Sequence, residues 1–348
     1  MNIYFFANAV YQYSHSKSIF ELTGGTFIVN KFNRMLRFKY YLFNSVKDKA
    51  LKGFLNTPPV IIRDIREPLD LDGVILSGSC TFVNNNKDKS FSIFIGHGAG
   101  DKKYGGSAEI LKSYDYHFIS GPKHLHKLKD VDVVIPEEKL VKIGYPKFDD
   151  YVNDNIDRNA YMNYLGIKDQ SRKNILYAPT WRWGNGTLQK YGKRFCKELN
   201  DEYNLIIRPH FHDRRHILPL KFWAKSNGLN NIYFSNPAKI LKNNSMYDFA
   251  ISDLMISDTS SIIYEYLITT NPIIIADNNY KDLHKMPDEL NILDIANKYY
   301  GKDMLSMVRN ELENDSQSNY KTLLNNCFYF NDGKSSKRAS DFVLSLTL

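Results

Sequence analysis

Short apolar runs alternate with longer polar or amphipathic stretches along most of this 348-residue chain. A short apolar run suits a buried strand, and an intervening stretch long enough for a helix lets the next strand run parallel to it. In the first 150 residues we predict strands at 3–7, 26–29, 60–63, 73–77, 92–95, 117–119 and 140–143. This alternation is typical of a parallel sheet wound with crossover helices.

A second series of the same kind follows a predicted helix at 153–165. Its predicted strands are 175–178, 204–208, 231–234, 254–256 and 272–276, and its predicted helices are 189–200, 214–227, 260–268 and several segments between 289 and 346. The chain length also favours two domains over one. We therefore predict an α/β protein with two Rossmann-like parallel-sheet domains, 1–150 and 151–348, and a helical C-terminal tail. A ligand would bind in the cleft between the carboxyl ends of the two sheets.

The composition points to a protein of the cytoplasm. Hydrophobic residues make up 43% and charged residues 24%, which is ordinary for a soluble globular protein. No apolar run approaches the roughly 18 residues of a membrane span, and the N-terminus lacks the basic region of a signal peptide. Cys80, Cys196 and Cys327 are odd in number and far apart, which argues against a disulfide framework or a zinc site.

The formal net charge of +8 indicates an anionic partner: nucleic acid, anionic lipid or a phosphate-bearing substrate. The chain has no zinc-finger spacing, no RNA-binding aromatic signature and no helix-turn-helix pattern, so we do not expect nucleic acid.

A basic segment runs from residue 31 to residue 52. Its Lys and Arg residues are Lys31, Arg34, Arg37, Lys39, Lys47, Lys49 and Lys52, against the single acid Asp48. Near one face of a helix fall Phe32, Met35, Leu36, Leu42, Phe43 and Val46. The segment fits either an amphipathic helix on an anionic membrane surface or a crossover helix with its apolar face on the sheet.

A polar turn, Ser257-Asp258-Thr259-Ser260-Ser261, stands between a predicted strand and a predicted helix. The first helical turn leaves backbone N–H groups unpaired, and with small hydroxyl side chains around them they make a phosphate site. The same residues are also the usual helix caps. The phosphate interpretation gains support because two other predicted strands of the same half end in Thr180-Trp181-Arg182 and in Arg208-Pro209-His210, and all three strand ends could converge at one edge of the sheet.

Each of these strand ends has its own alternatives. Arg182 could donate to a phosphate oxygen, for which a guanidinium is suited, or lie on the surface. With His212 and His216, His210 has a spacing seen in metal sites. No cysteine or carboxylate clusters with these histidines in the sequence, so hydrogen bonding or proton donation to a leaving phosphate by His210 is the better interpretation.

A glycine-rich loop, Gly96-His97-Gly98-Ala99-Gly100-Asp101, follows the predicted strand 92–95. Glycines let the backbone turn tightly and let a ligand approach, and a histidine there stands where a general base is wanted. The alternative is a turn with an incidental histidine. Lys102 and Lys103 could meet phosphate or belong to a solvated charged run.

Six segments, taken in order, resemble the CDP-glycerol glycerophosphotransferases, which are the teichoic acid primases and polymerases. The resemblance covers about 91 to the C-terminus. The matching segments are Gly96-His97-Gly98 with Lys102-Lys103, Gly144-Tyr145-Pro146-Lys147-Phe148-Asp149, Tyr177-Ala178-Pro179-Thr180-Trp181-Arg182, Arg208-Pro209-His210, Ser257-Asp258-Thr259-Ser260-Ser261 and Asp332-Gly333-Lys334-Ser335-Ser336.

This resemblance implies a GT-B architecture that transfers a polyol phosphate from a CDP-linked donor, without metal or other cofactor. The acceptor would be a hydroxyl of a lipid-linked or glycan precursor of teichoic acid or capsule polymer. His97 would be the base, and His210 would act on the leaving group. Glu265 would reach the ribose. The remaining implied residues are Thr180, Arg182, Arg208, Asp258, Thr259, Ser260 and Ser261 on the donor side, and Gly98, Lys102 and Lys103 on the acceptor side.

The chain departs from the family pattern at several positions. Gly96 replaces a tryptophan, Ala99-Gly100-Asp101 replaces Thr-Pro-Leu, Phe211 replaces a proline and Thr259 replaces a tyrosine. These differences concentrate in the glycine-rich loop around His97, which we call the histidine loop. The alternatives are a GT-B glycosyltransferase that uses a nucleotide sugar, a nucleotide-sugar 2-epimerase, and a non-catalytic subunit that only binds polymer or nucleotide.

Overall fold

The computed structural model describes residues 1–44, 58–96, 98–104, 108–240, 244–314 and 316–346. Each of the two predicted series of strands forms its own parallel sheet, which confirms the predicted fold class. His97 and the segment 45–57, which includes Lys47, Lys49 and Lys52, lie outside the described residues.

The first sheet has the strand order β3-β2-β1-β4-β5-β6-β7. Its strands are β1 Ile3–Phe6, β2 Thr26–Val29, β3 Val60–Ile62, β4 Gly73–Ser77, β5 Ser90–Phe94, β6 Tyr116–Ile119 and β7 Leu140–Lys142. The central strand β4 is buried at all five positions, because helices cover both faces of a wound parallel sheet.

The second sheet has the order β10-β9-β8-β11-β12-β13. Its strands are β8 Asn174–Tyr177, β9 Asn204–Ile207, β10 Ile232–Phe234, β11 Leu254–Ser257, β12 Ile273–Ala276 and β13 Asn297–Tyr299. The edge strand β13 was not predicted. Two of its three residues are exposed and only Tyr299 is buried, so its sequence carries no apolar run.

The helices cover the sheet faces and form the C-terminal part of the chain. They are α1 Tyr13–Thr23, α2 Phe32–Asn44, α3 Pro122–Lys129, α4 Asp149–Val152, α5 Arg158–Leu165, α6 Leu188–Leu199, α7 Ile217–Ser226, α8 Ser245–Ile251, α9 Ile262–Tyr266, α10 Met304–Glu313, α11 Gln317–Cys327 and α12 Ser335–Ser345. Helix α5 begins later than the predicted 153–165 because the Asp157 side chain caps it by accepting from the Ala160 N–H at 2.9 Å.

Helix α2 covers the first part of the basic segment, and among its described side chains the buried face agrees with the predicted one at Met35 and Leu42 only. Phe38 and Leu42 are 1% exposed and pack on the first sheet. Phe32 and Leu36, which we placed on the apolar face, are 60% and 51% exposed. Tyr40 is 61% exposed one turn further on, so α2 presents an aromatic and aliphatic stripe away from the core.

The last helix of the chain packs against the first half of the molecule. Helix α12 packs against α1, and its Ala339 and Val343 belong to the hydrophobic core of the first sheet. The Asp149 carboxylate accepts from the N–H groups of Ser335 and Ser336 at 3.1 and 2.6 Å, at the start of α12. The chain therefore crosses from the second sheet back to the first.

Candidate functional site

A cavity of about 360 Å³ lies where the carboxyl ends of the two sheets meet. The first half of the chain contributes the segments that follow β5, β6 and β7, and the second half contributes the segments that follow β8, β9 and β11. Of the predicted site residues, the cavity wall includes Gly98, Lys102, Lys103, Thr180, His210, Ser260 and Ser261. A parallel α/β sheet places loops from neighbouring strands at one edge in this way.

The charged side chains on the described wall of this cavity are all basic. Its described lining includes five lysines and four histidines, which are Lys102, Lys103, Lys123, Lys127, Lys147, His15, His124, His210 and His212. No aspartate or glutamate is among the described lining residues. Low-dielectric walls that carry charge of one sign concentrate the field in a cleft, so this site favours an anionic ligand.

A smaller cavity of about 140 Å³ adjoins the first and extends along the second half. Arg208, Asn244 and Glu265 line it, together with Pro237. Six residues line both cavities and mark their junction: Tyr11, His15, Lys147, His210, Ser260 and Ser261. A ligand that is long and anionic could therefore occupy both cavities through this junction.

Within the polar turn, the serines and the aspartate have different positions. Ser260 and Ser261 face the junction of the cavities, ahead of the five-residue helix α9. Asp258 is fully buried and absent from both cavity walls. Its carboxylate accepts from the N–H groups of Thr180 and Thr187 at 2.8 and 3.0 Å and from the Thr187 hydroxyl at 3.0 Å. Burial raises the pKa of Asp258 to about 6. Asp258 thus fixes the loop after β8.

The loop after β8 brings only part of its predicted set to the cavity. Thr180 lines the wall, and its hydroxyl accepts from the Lys102 ammonium at 2.9 Å. Arg182 is exposed and lines neither cavity, while its backbone N–H donates to Asp213 at 2.9 Å. Thr259 also lies off both walls, where its hydroxyl accepts from Asn278 at 2.9 Å. Trp181, which we did not single out, lines the larger cavity.

His210 lines the junction beside the Trp181 indole, with ring centroids 5.9 Å apart. Its Nδ1 accepts from the His212 N–H at 3.2 Å, which leaves the proton of a neutral imidazole on Nε2. Burial, with the positive charges of Lys102 and Arg208 nearby, lowers the pKa of His210 to about 3. His210 is therefore a neutral hydrogen-bond donor at pH 7 in the free protein.

Arg208 and Glu265 both take part in buried ion pairs beside the smaller cavity. The Arg208 guanidinium donates to Asp248 at 2.7 Å. Glu265 accepts from the Tyr145 hydroxyl at 2.8 Å and from the Lys147 ammonium at 2.5 Å. Lys147 and Tyr145 come from the segment after β7, and the sequence analysis gave them no role. The sequence did carry a signal for Lys147, because this residue lies in one of the six segments that resemble the family.

The histidine loop of the first half lies directly on the polar turn of the second. A β-carbon on Gly98 would be 3.2 Å from the Ser261 hydroxyl, and one on Gly100 would be 2.6 Å from the Ser261 Cα. Lys103, which is exposed at the rim, pairs with Asp282 at 3.7 Å. The glycines therefore permit a contact between the two halves that larger residues would prevent.

Two general findings bear on partners. None of the described helices combines the length and apolar character that a membrane crossing requires. In the described part of the chain, no three His, Cys, Asp or Glu side chains gather where they could hold a metal ion.

Comparison with known proteins extends the sequence resemblance. The family model "CDP-Glycerol:Poly(glycerophosphate) glycerophosphotransferase" matches residues 96–345. The chain is 28% identical to the teichoic acid glycerol-phosphate primase of Bacillus subtilis (strain 168) over 247 residues, 68% of this chain and 59% of the primase. It is 25% identical to the teichoic acid ribitol-phosphate primase of Bacillus spizizenii over 274 residues, 72% of this chain and 66% of that protein. It thus spans less than two thirds of either relative.

The fold has a solved counterpart. The structure of the wall teichoic acid polymerase TagF superimposes with a TM-score of 0.69 at 18% identity, over 99% of this chain and 88% of that one. At this identity the similarity concerns the fold, and it agrees with two parallel-sheet domains around a cleft.

Proposed function

The chain belongs to the CDP-glycerol:poly(glycerophosphate) glycerophosphotransferase family, and from this membership we propose that it transfers a polyol phosphate from a CDP-linked donor to an acceptor hydroxyl. The polyol would be glycerol or ribitol, and the acceptor a lipid-linked or glycan precursor of teichoic acid or capsule polymer. The observation that carries this proposal is the cavity with five lysines and no carboxylate on its described wall. Such a wall suits a donor whose reacting part is a diphosphate.

The junction of the two cavities suits the donor diphosphate. Ser260 and Ser261 offer hydroxyl groups there, His210 offers its Nε2–H, and Lys147 offers a positive charge. The cytidine would occupy the smaller cavity beside Arg208 and Glu265, and the polyol would point into the larger one. Hydrogen bonds already hold His210 and Lys147 in place, so these two groups can stabilise developing charge with little reorganisation.

The reaction needs one bond made and one broken. The acceptor oxygen attacks the phosphorus that carries the polyol, and the bond from that phosphorus to the CMP oxygen breaks. His97 would take the acceptor proton, and the neutral His210 would donate a hydrogen bond to the departing CMP phosphate. Gly98, Lys102 and Lys103 would form the acceptor side. In this proposal, residues 1–150 supply the acceptor wall and 151–348 supply the donor wall, to which Lys147 of the first half also contributes.

Two residues of the implied donor set take positioning roles in this proposal, and a third, Arg182, lies outside both cavities. Asp258 holds the backbone at Thr180 and Thr187, as described above. Thr259 supports the same loop through Asn278 and the Gly184 carbonyl. Arg182 is exposed in the middle of this loop, where it could meet the donor only at the outer edge of the site.

Turnover of defined donors tests the function. The purified protein should release CMP from CDP-glycerol or CDP-ribitol when an acceptor is present. His97→Ala should lower kcat by about a hundredfold or more, as expected for loss of a general base. His216→Ala is the matched control, because His216 lines neither cavity. With no CMP from either CDP-polyol, release of UDP from a nucleotide sugar would establish the glycosyltransferase alternative, and conversion of the nucleotide sugar to its 2-epimer would establish the epimerase alternative.

We further propose that α2 binds an anionic membrane surface, on the cytoplasmic face where a lipid-linked acceptor would be met. Phe32, Leu36 and Tyr40 form an exposed stripe, and Lys31, Arg34 and Arg37 are exposed around it. Apolar side chains among basic ones are the composition of an interfacial helix. Burial and the charge of Arg214 lower the pKa of His212 on the cavity wall, and the charge of Arg34 adds a smaller contribution, so this surface adjoins the site.

Flotation with lipid vesicles tests this surface. The wild-type protein should float with vesicles rich in phosphatidylglycerol and should not float with phosphatidylcholine vesicles. Reversing the charges of Lys31, Arg34 and Arg37 to glutamate should abolish flotation, since each basic residue contributes about 1 kcal/mol near an anionic surface. The control reverses the exposed Lys190, Lys193 and Lys197 on α6. Equal flotation of both triple variants would rule out α2 as the membrane surface.

A further inference from the structure

Two lysines of α3, Lys123 and Lys127, lie on the floor of the larger cavity and have no role in the donor site proposed above. They are only 2% and 7% exposed. The Lys127 ammonium donates to the Gly100 carbonyl at 2.7 Å and stands 4.8 Å from the ring centroid of Tyr104. Lysines are rarely buried to this degree unless a partner balances their charge.

Of these two lysines, only Lys123 forms an ion pair with a described carboxylate, although the charge of the same carboxylate, Asp101, also acts on Lys127 at longer range. Asp101 pairs with Lys123 and also accepts from the Tyr264 hydroxyl at 2.7 Å. The other nearby carboxylate, Asp130, pairs with His284 at 2.8 Å and is not on the cavity wall. Among the described residues Lys127 has no ion-pair partner; a carbonyl and an aromatic ring are its contacts. An ammonium has three N–H donors, and the contact with Gly100 uses one.

The surroundings of Lys127 favour an anion from the cavity. His124 and Ser120 line the same floor, and no described acidic residue does. Burial and the charge of Lys123 lower the pKa of Lys127 to about 8, and the charge of Asp101 opposes this shift, so the group is mainly cationic at pH 7. A negative charge within hydrogen-bond distance would stabilise the charged form that burial disfavours.

We propose that Lys127, with His124 and Ser120, binds a phosphate group of the acceptor. This inference rests on the proposed function and specifies the acceptor side of the same site. Each transfer leaves a polyol phosphate on its product, so an acceptor that has already been extended carries a phosphodiester close to its reactive hydroxyl. A lipid-linked acceptor carries phosphate at its other end as well. In both cases a phosphate oxygen of the acceptor would accept a hydrogen bond from the buried Lys127 ammonium.

Acceptors that differ only in phosphate test this subsite. The first is a glycan without phosphate, the second ends in one polyol phosphate, and the third carries a diphosphate at its reducing end. Lys127→Met should raise the KM of a phosphate-bearing acceptor by about tenfold or more, as expected for loss of a charge-assisted hydrogen bond. The KM values of the donor and of the phosphate-free glycan should stay unchanged. Whichever phosphate-bearing acceptor responds identifies the source of the phosphate.

The control is Lys129→Met, which removes an exposed lysine from the same helix and should change no KM. Lys127→Arg keeps the charge and should retain part of the preference for phosphate. An equal loss of kcat on all three acceptors would overturn the proposal, because it would show that Lys127 only supports the Gly100 loop. A raised donor KM would also overturn it, by placing Lys127 in the donor site.

Binding of the same acceptors without donor, measured by calorimetry, separates this inference from the proposed function. Weaker binding of a phosphate-bearing acceptor to Lys127→Met would support the subsite even if no CDP-polyol were turned over. Equal binding to the wild type and the variant would overturn it. If Lys127→Met does not fold, Lys127→Gln replaces it in both measurements.

Discussion

Gly100 and Ser261 are packed so closely that a β-carbon on Gly100 would lie 2.6 Å from the Ser261 Cα and 3.1 Å from its nitrogen. Gly100 belongs to the histidine loop of the first half, and Ser261 to the polar turn of the second. The two segments that sequence patterns assigned to opposite walls of a cleft therefore touch through their backbones. The Lys102–Thr180 and Asp101–Tyr264 hydrogen bonds hold the same contact from either side.

Replacing Gly100 with alanine should push the histidine loop away from the polar turn. The β-carbon would meet backbone atoms of Ser261, which cannot move aside as a flexible side chain can. We expect kcat to fall by about tenfold or more, since small displacements of positioned groups cost that much. Gly192→Ala in α6 is the control, because its β-carbon would meet only leucine side chains. Unchanged turnover by Gly100→Ala would show that this contact has no part in the reaction.

Glu265→Gln should leave the Lys147 ammonium without its buried counterion. Loss of one partner of a buried pair destabilises a protein by about 3–5 kcal/mol, which urea unfolding would measure. If Lys147 faces the donor diphosphate, saturating CDP-glycerol should raise the Tm of this variant more than that of the wild type, because the diphosphate would replace the lost charge. Equal Tm increases in both proteins would place Lys147 away from the diphosphate. Tyr145→Phe, which removes one neutral donor, should have a smaller effect.

Asp258→Asn should destabilise the loop that carries Thr180. All three groups around the carboxylate are donors, so an amide NH₂ would oppose one of them inside the protein. An unsatisfied buried donor costs about 1–3 kcal/mol. Denaturant unfolding of Asp258→Asn should show this loss, whereas Asp288→Asn, at an exposed position, should not. A variant as stable as the wild type would mean that the carboxylate does not hold the loop.

His210 should make the protein more sensitive to acid. Its pKa is lowered to about 3 in the folded chain, against about 6.5 when unfolded, so between these values the unfolded state binds more protons. This contribution to stability is therefore complete above about pH 6.5 and is lost as the pH falls towards 3. His210→Asn should lose less unfolding free energy than the wild type between pH 7 and pH 5. An identical pH dependence of the two proteins would contradict a depressed pKa.

The sequence alone determined the fold class and most of the element positions. Predicted strands such as 26–29 and 73–77 coincide with β2 and β4, because an isolated apolar run between polar stretches has few ways to be buried. It also placed Thr180, His210, Ser260 and Ser261 at strand ends of the second half, and the structure shows that the three strands concerned are neighbours in the sheet. Strand β13 was not predicted because two of its three residues are exposed, so it has no apolar run.

Only the tertiary structure decided which charged residues face the cavity and which hold the loops around it. Asp258 and Arg182 are both charged residues that follow predicted strands. In the structure Asp258 is fully buried against the loop after β8, whereas Arg182 is exposed. Lys147 is held by Glu265, 118 residues away in the chain, and Lys127 reaches the cavity because α3 lies beneath the histidine loop. The charge of a side chain can be read from the sequence. Its burial and its partners depend on contacts between residues far apart in the chain, which no local pattern encodes.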